Sequence, residues 1–292
     1  MKKTPQSILG QPNLLYPVNV TWMITNRCNY NCEFCFRFTD KPELDYDTAK
    51  MIVDKLAAKG MKKISWAGGE PLLWPDMHKL IEYSATRGII TMLITNGELI
   101  TDQMVPVFKS SLDWLNLPLD GSTPEMSDRM TRKIGHFQRT INLLSQFQDT
   151  GIKLKINTVA SKINIDDIVN MVPLIKKYGI KRWKIFQFYS VRGPSLSSQD
   201  KFSLELTAFE EVRQKVMSMI DPEECMVVFE NNNELDESYF AITPDGLVYV
   251  SVQGEDHFLG DLKTESVEQI WSKSKLDKQK YWARSKWVIE ND

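Results

Sequence analysis

Three cysteines stand close together near the start of the chain. Cys28, Cys32 and Cys35 fall within eight residues, whereas Cys225 stands far along the chain. Three thiolates at this spacing can ligate three irons of a 4Fe–4S cluster and leave the fourth iron without a protein ligand. An iron of that kind is open to a further ligand. The motif therefore predicts a reactive metal centre.

Two simpler interpretations of these cysteines stay open at this point. They could be reduced cysteines of the core, or a zinc site completed by a distant histidine. A structural zinc site typically has four ligands in two CxxC-like pairs. The three histidines, His78, His136 and His257, show no ligand-type spacing with the cysteines. We therefore favour the cluster.

A second set of candidate residues comes from alternation along three predicted strands. Successive side chains of a strand point to opposite faces, and the apolar positions should face the helices. The polar positions should then share one interior; they are Lys63, Lys155, Asn157, Arg182 and Lys184. Strand-end charges facing solvent are the alternative. Because a buried, unpaired cation costs several kcal/mol, four cations predict an anion, and a triphosphate fits better than a monoacid.

The elements that must position these residues repeat along the chain. A helical pattern, a glycine and a β-rich run recur around Gly60, Gly88, Gly151 and Gly179, separated by 28, 63 and 28 residues. A glycine just past a helix end is the usual left-handed cap. Six strands alternating with helices indicate a parallel sheet, either a partial (β/α) barrel or an open doubly wound sheet. In both, chemistry belongs at the carboxyl ends of the strands.

Three segments are expected. Residues 1–17 form an N-terminal segment, residues 18–190 the repeating α/β unit, and residues 191–292 a C-terminal α+β extension packed on it. Within the extension, Pro244-Asp245-Gly246 between two short β-rich runs indicates a hairpin.

Composition narrows the class of partner. The 292 residues carry 36 basic and 38 acidic side chains, a net charge of −2. This balance gives no general attraction to nucleic acid or to anionic membrane. No apolar run approaches the ~20 residues that span a bilayer, and no signal peptide is apparent. We expect a cytoplasmic monomer that binds neither nucleic acid nor membrane, with any bound anion held by a local basic cluster.

Two motifs together carry a family resemblance. The Cys-x3-Cys-x2-Cys spacing with Phe34 before the last cysteine, and Trp66-Ala67-Gly68-Gly69-Glu70-Pro71 one βα unit later, resemble the radical S-adenosylmethionine (SAM) enzymes. The resemblance implies a partial (β/α)6 TIM-type barrel in which SAM chelates the open iron of the cluster. It also implies that Gly68 and Gly69 approach the methionine amine, with Glu70 in support, and that Phe34 bounds the adenine. Reduction of SAM would then give a 5′-deoxyadenosyl radical.

Further strings sharpen the resemblance to viperin-like enzymes over residues 18–270. These strings are Cys28-Asn29-Tyr30-x-Cys32-x-Phe34-Cys35-Phe36, Lys155-Ile156-Asn157, Arg182-Trp183-Lys184-x-Phe186-Gln187 and Glu237-Ser238-Tyr239. Viperin-like enzymes convert CTP to 3′-deoxy-3′,4′-didehydro-CTP, a chain terminator, through abstraction of the ribose C4′ hydrogen. Prokaryotic relatives also act on GTP or UTP. An antiviral or anti-phage role and an electron donor such as flavodoxin or ferredoxin are implied.

The resemblance also implies roles for individual residues. The basic side chains bind the triphosphate, and Asn157 lies near the phosphates or ribose. Tyr239 stands near the ribose as a candidate donor of a hydrogen atom or proton. Asp120 and Arg132 match positions of the SAM site, Arg132 suiting the carboxylate.

The chain also departs from the animal pattern. Ala67 and Pro118 replace serines, residues 36–41 differ, and the amphipathic helix of animal relatives does not precede the barrel. We therefore expect an enzyme of the prokaryotic type, and these differences leave the identity of its preferred nucleobase open.

Two other functions stay open as alternatives. Residues 242–271 resemble the C-terminal region of radical SAM peptide maturases, but auxiliary clusters need several cysteines and only Cys225 follows Cys35. A non-catalytic scaffold that senses a nucleotide is the other alternative.

Overall fold

The computed structural model describes residues 15–130 and 132–290. Ten strands in the described part form one sheet. They are β1 Asn19–Thr25, β2 Lys63–Gly68, β3 Ile90–Ile94, β4 Trp114–Pro118, β5 Lys153–Ala160, β6 Arg182–Gln187, β7 Met226–Glu230, β8 Ala241–Ile242, β9 Leu247–Val252 and β10 Glu255–Asp261.

The sheet is parallel from β1 to β7 and takes these strands in chain order. This is the partial (β/α) barrel that the family resemblance implied, one of the two architectures that the repeating pattern left open, and the fold class is confirmed. Residues after 190 do more than pack on the barrel. They add β7 beyond β6 and place β8 parallel to β1, followed by the antiparallel pair β9 and β10. The C-terminal region thus supplies both edges of the sheet.

Helices connect most of the parallel strands. Further helices follow β10. In chain order the helices are α1 Tyr46–Ala58, α2 Met77–Thr86, α3 Met104–Ser111, α4 Pro124–Arg129, α5 His136–Phe147, α6 Val172–Lys177, α7 Gln199–Phe202, α8 Leu206–Met219, α9 Asn232–Leu235, α10 Val267–Lys273, α11 Lys278–Ser285 and α12 Trp287–Glu290. The glycines expected at helix ends, Gly60, Gly88, Gly151 and Gly179, all have positive φ. Each takes the left-handed conformation that a side chain would strain.

The connection after β5 does not begin directly with a helix. The Asn164 side chain does not cap a helix but donates to the carbonyls of Asp120 and Val159. A 3₁₀ segment, Ile165–Met171, follows, and α6 begins only at Val172. Pro173 lies in the first turn of α6, where its missing N–H has no intrahelical partner to lose.

The core lies between the sheet and the helices. Ile64, Trp66, Ile156, Trp183 and Ile185 are fully buried on that side. Each such side chain contributes about 1.5–3 kcal/mol by leaving water. This burial fixes which face of each strand points inward, because a slip of one residue would expose the apolar set.

Part of the predicted organisation lies outside this description. Residues 1–14 of the expected N-terminal segment are not among the described residues, and the segment boundaries at 17 and 190 stay predictions. Within the described residues, no helix has the length and apolar character needed to cross a membrane.

Candidate active site

A cavity of about 350 Å³ lies inside the partial barrel. Both sets of sequence candidates line it. The predicted residues on its wall are Cys28, Cys32, Phe34, Cys35, Lys63, Gly68, Gly69, Arg132, Lys155, Asn157, Arg182, Lys184 and Tyr239. Glu70 and Asp120 do not line it. The structure therefore brings the thiols and the basic side chains into one enclosure.

The cysteine loop follows β1 at the carboxyl end of the sheet. Cys28 and Cys35 are half-buried and Cys32 is buried. Burial raises the pKa of the Cys28 thiol, and it raises that of Cys32 to about 11 although the Arg132 guanidinium, 3.8 Å from the Cys32 Sγ atom, favours the thiolate. Three soft thiols that share a cavity wall suit an iron–sulfur cluster.

Hydrogen bonds to neighbouring loops hold the cysteine loop. The Tyr30 hydroxyl donates to Glu98 at 2.9 Å, and Asn96 Nδ2 donates to Asn29 Oδ1 at 2.7 Å. Glu98 and Asn96 belong to the loop after β3. These partners were not found from the sequence, because nothing local to them marks a contact 67 or 68 residues away.

The two glycines after β2 are required by a close approach of backbone. A Cβ atom on Gly68 would lie 2.3 Å from the carbonyl oxygen of Thr25, and one on Gly69 would lie 2.0 Å from that of Arg27. Gly68 also has φ +128°, a conformation that side chains rarely adopt. The glycines thus let the end of β2 pack against the start of the cysteine loop while still lining the cavity.

Glu70 lies behind the wall of the cavity. Its side chain is fully buried and accepts hydrogen bonds from the Leu72 amide, the Thr95 hydroxyl and the Asn96 amide. It faces the end of β3 rather than the cavity. Glu70 therefore holds Thr95 and Asn96, which themselves line the cavity, and its role in support of SAM binding stays a prediction.

Asp120 likewise acts through a neighbour. It is fully buried, pairs with Arg132 and accepts a hydrogen bond from the Val159 amide at 2.8 Å. The Arg132 guanidinium reaches the cavity and lies 4.7 Å from the Phe34 ring centroid. Asp120 is therefore not itself a wall residue. It orients the cation beside Phe34.

The basic side chains gather at the amino ends of the strands. Lys155 pairs in register with Arg182 on the neighbouring strand, and Asn157 pairs with Lys184. Lys63 begins β2, and its Nζ atom donates to Ser65 at 2.7 Å. Burial, together with repulsion from Lys184, Arg182 and Lys63, lowers the pKa of Lys155 well below its ordinary value. A polyanion would relieve this repulsion.

Several polar atoms of this wall have no hydrogen-bond partner among the described residues. They are both side-chain amide atoms of Asn116, Oδ1 of Asn157 and Nε of Arg182. Buried polar atoms are nearly always paired, so these positions favour a polar ligand. Asn116 was missed from the sequence, although it has the inward parity of β4 between Leu115 and Leu117.

A carboxylate stands behind the basic wall. Glu230 Oε1 lies 2.6 Å from Lys184 Nζ and 2.9 Å from Arg284 Nη1. Burial alone would raise the pKa of Glu230, but the two cations lower it to about 2. The Tyr239 hydroxyl accepts a hydrogen bond from Lys184 Nζ at 2.7 Å and donates to Glu230 Oε2 at 3.2 Å.

The last helices close the amino end of the cavity. Arg284 of α11 lies over the Tyr239 ring at 3.5 Å, and Trp287 of α12 lies 4.2 Å from the Arg182 guanidinium. Both residues line the cavity. Glu230, Arg284 and Trp287 had no motif or spacing that could have identified them.

Comparison with known proteins agrees with this geometry. The family model described as the Radical SAM superfamily matches residues 22–182. An S-adenosylmethionine-dependent nucleotide dehydratase of Flammeovirga pacifica is 30% identical over 82% of this chain and 86% of its own length. One of Lacinutrix mariniflava is 28% identical over 91% of this chain, which spans only 57% of that protein.

A solved structure shows the same fold. Streptococcus suis SuiB bound to S-adenosylmethionine superimposes with a TM-score of 0.72 over 92% of this chain and 68% of its own. The two sequences are 19% identical, so the likeness concerns the fold alone.

Proposed function

The chain belongs to the radical SAM superfamily and to its family of S-adenosylmethionine-dependent nucleotide dehydratases, and on this premise we propose that it dehydrates a nucleoside triphosphate. Its cofactors are those of the superfamily, a 4Fe–4S cluster and SAM. CTP is the first choice of substrate, with GTP or UTP next, and the product is the 3′-deoxy-3′,4′-didehydro analogue. The observation that carries the proposal is that one and the same cavity has three thiols at one end and mutually repelling cations at the other.

The cluster and SAM belong at the carboxyl end of the strands. Cys28, Cys32 and Cys35 would hold the cluster. Arg132, which pairs with Asp120 and lies beside the Phe34 ring, would bind the SAM carboxylate. When bound, these cofactors would supply a 5′-deoxyadenosyl radical able to take the hydrogen from ribose C4′.

The basic wall orients the nucleotide. Lys63, Lys155, Arg182 and Lys184 would bind the triphosphate, with the Arg182 guanidinium able to bind two oxygens at once. Asn157 and Asn116 offer unpartnered amide atoms to the same ligand. Anchoring the phosphates at the amino end would leave the ribose between the basic wall and the cofactors. Arg284 and Trp287 line the same cavity and would limit the access of water to the bound nucleotide.

Tyr239, which lines the cavity, would donate a proton near the ribose. Burial raises the pKa of its hydroxyl, so the group stays protonated at neutral pH. Lys184 and Glu230 fix its orientation from two sides. The 3′-hydroxyl would leave as water by taking one proton, and one electron from the reductant would then reduce the nucleotide radical to the 3′,4′ double bond. Tyr239 is our candidate to supply that proton, alone or together with the electron as a hydrogen atom.

The same proposal extends to the role in the cell. A nucleotide without a 3′-hydroxyl terminates polymerase chains, so the product would act in antiviral or anti-phage defence. The reaction needs one-electron reduction, for which a flavodoxin or ferredoxin is the expected partner. A monomer in the cytoplasm remains our expectation.

One experiment tests the proposal against its rivals. The anaerobically reconstituted protein receives SAM, dithionite and each nucleoside triphosphate in turn, and 5′-deoxyadenosine and nucleotide mass are measured. We expect one triphosphate to stimulate deoxyadenosine formation and to lose the mass of water, and Cys28→Ala to abolish both. If no triphosphate does so, the dehydratase proposal is wrong, and a peptide maturase or a nucleotide sensor becomes the better account.

A further inference from the structure

The segment that follows Cys35 has no regular secondary structure, so its peptide groups need partners from elsewhere. The loop after β6 supplies them. The Ser195 amide donates to the carbonyl of Cys35 at 3.0 Å, and Arg192 Nη1 donates to that of Phe36 at 3.1 Å. A Cβ atom on Gly193, which has φ +60°, would lie 2.7 Å from the carbonyl oxygen of Arg37. Three consecutive carbonyls thus contact one short loop.

Arg192 is itself fixed by the last hairpin of the sheet. Its Nε atom donates to Asp256 Oδ2 at 2.6 Å, its Nη2 atom donates to Asp256 Oδ1, and Nη2 also donates to the Ser251 hydroxyl at 3.0 Å. The guanidinium lies 4.7 Å from the Phe38 ring centroid and 5.3 Å from that of Tyr249. This arrangement leaves the arginine little freedom.

The burial of this pair separates it from an ordinary surface ion pair. The side chains of Arg192 and Asp256 are 12% and 15% exposed. Lys201, which like Arg192 lies in the region after β6, pairs with Glu33 of the cysteine loop, between Cys32 and Cys35, but the side chains of this pair are 44% and 46% exposed. Exposed pairs contribute little, whereas a buried bidentate pair holds a defined geometry. The chain therefore offers a matched control.

We propose that Arg192 and Asp256 form a clasp that positions the segment after Cys35 and so determines how firmly the chain retains its cluster. Both residues lie beyond residue 182, where the match to the superfamily model ends. Arg192 is a positioning residue, acting through the backbone of Cys35 and Phe36. The inference rests on the cluster of the proposed function but not on the identity of the substrate.

The test compares Arg192→Lys and Asp256→Asn with the control Lys201→Gln, each reconstituted with iron and sulfide. Iron release to ferrozine is followed anaerobically, and the EPR spectrum of the reduced cluster is recorded with and without SAM. Loss of a residue that holds the ligands of a metal site in place typically weakens metal binding. We therefore expect iron release to be about tenfold faster in the Arg192→Lys and Asp256→Asn variants. Their EPR signal should also broaden or shift, and Lys201→Gln should match the wild type in both measurements.

Arg192→Lys keeps the charge and loses the two-pronged geometry, so it isolates the clasp from electrostatics. Ser251→Ala removes one hydrogen bond of Arg192 and should accelerate iron release by a smaller factor. It takes the place of the other two variants if they do not fold. Equal iron release from folded wild type and clasp variants would overturn the inference, and so would an equal effect of Lys201→Gln. If no nucleotide reacts, the dehydratase proposal fails, and iron release still decides the proposal about the clasp. A wild type that binds no cluster would refute both proposals.

Discussion

The Nζ atom of Lys184 lies 2.7 Å from the hydroxyl oxygen of Tyr239, which is 55 residues away in the sequence. This contact joins the basic wall of the cavity to the one tyrosine that we propose as a proton donor. An anion bound at Lys184 would therefore sit beside the hydroxyl. Binding and the last step of the reaction are linked through these two side chains.

Replacing Tyr239 should separate cofactor cleavage from product formation. Tyr239→Phe removes the hydroxyl and keeps the ring beneath Arg284. We expect dehydrated nucleotide to fall about a hundredfold, in the range seen when a general acid is lost. Formation of 5′-deoxyadenosine should persist, because the thiols and Arg132 are untouched. Chromatography of both products measures the ratio, and an unchanged ratio would exclude Tyr239 from the final step.

Lys155 should contribute to nucleotide affinity far more than its neighbour on the same strand. Lys155→Met should weaken binding of a nucleoside triphosphate at least about tenfold, because a hydrogen bond to a charged group contributes roughly 1.5–3 kcal/mol. Lys153→Met, at an exposed position of β5, is the control. Calorimetry without reductant gives both dissociation constants. Equal dissociation constants for Lys155→Met and Lys153→Met would mean that the triphosphate does not bind at Lys155.

The same substitution should stabilise the empty protein. Lys155 is buried among three cations and its folded-state pKa is lowered, so the unfolded chain binds more protons than the folded chain up to the unfolded pKa of about 10.4. The cost of burying Lys155 is therefore present at neutral pH and declines as pH rises towards that value. We expect Lys155→Met to melt about 2 °C or more above the wild type at pH 7.

The difference in melting temperature between Lys155→Met and the wild type should become smaller towards pH 10. Saturating nucleoside triphosphate should reverse its sign, because only the wild type makes the contact between Lys155 and the ligand. Calorimetric melting curves at several pH values measure both effects. A variant that melts below the wild type at pH 7 would show that the cations do not repel one another in the empty cavity.

Asp120 should affect SAM binding through Arg132. Asp120→Asn weakens the partner that orients the guanidinium, and we expect SAM affinity to fall about tenfold, as for other outer-shell partners. Arg132→Ala should have at least as large an effect, and the double variant should be no worse than Arg132→Ala alone. Asp128→Asn, an exposed acid on α4, is the control. Additive losses would mean that Asp120 contributes independently of Arg132.

The sequence predicted those parts of the site that depend on local patterns. Alternation along β2, β5 and β6 identified the inward cations because the apolar positions between them must pack against the helices. The cysteine spacing predicted that three thiols line one cavity for a similar reason, since all three belong to one short segment.

Contacts between distant segments could not be predicted in this way. Glu230, Arg284 and the pair Arg192–Asp256 meet the site only because the C-terminal region supplies both edges of the sheet. Glu70 and Asp120 were found as motif residues, but the direction of their side chains depends on which neighbouring loops offer donors. A motif specifies residue types; the packing of loops decides which of them face the ligand.

The central claim is tested most directly with CTP carrying deuterium at C4′, with UTP and GTP labelled in the same way beside it. The reconstituted protein is given SAM and dithionite, and mass spectrometry follows both products. We predict that deuterium appears in 5′-deoxyadenosine while the same nucleotide loses the mass of water. Deuterium-free 5′-deoxyadenosine with every labelled triphosphate, and nucleotides of unchanged mass, would contradict the account.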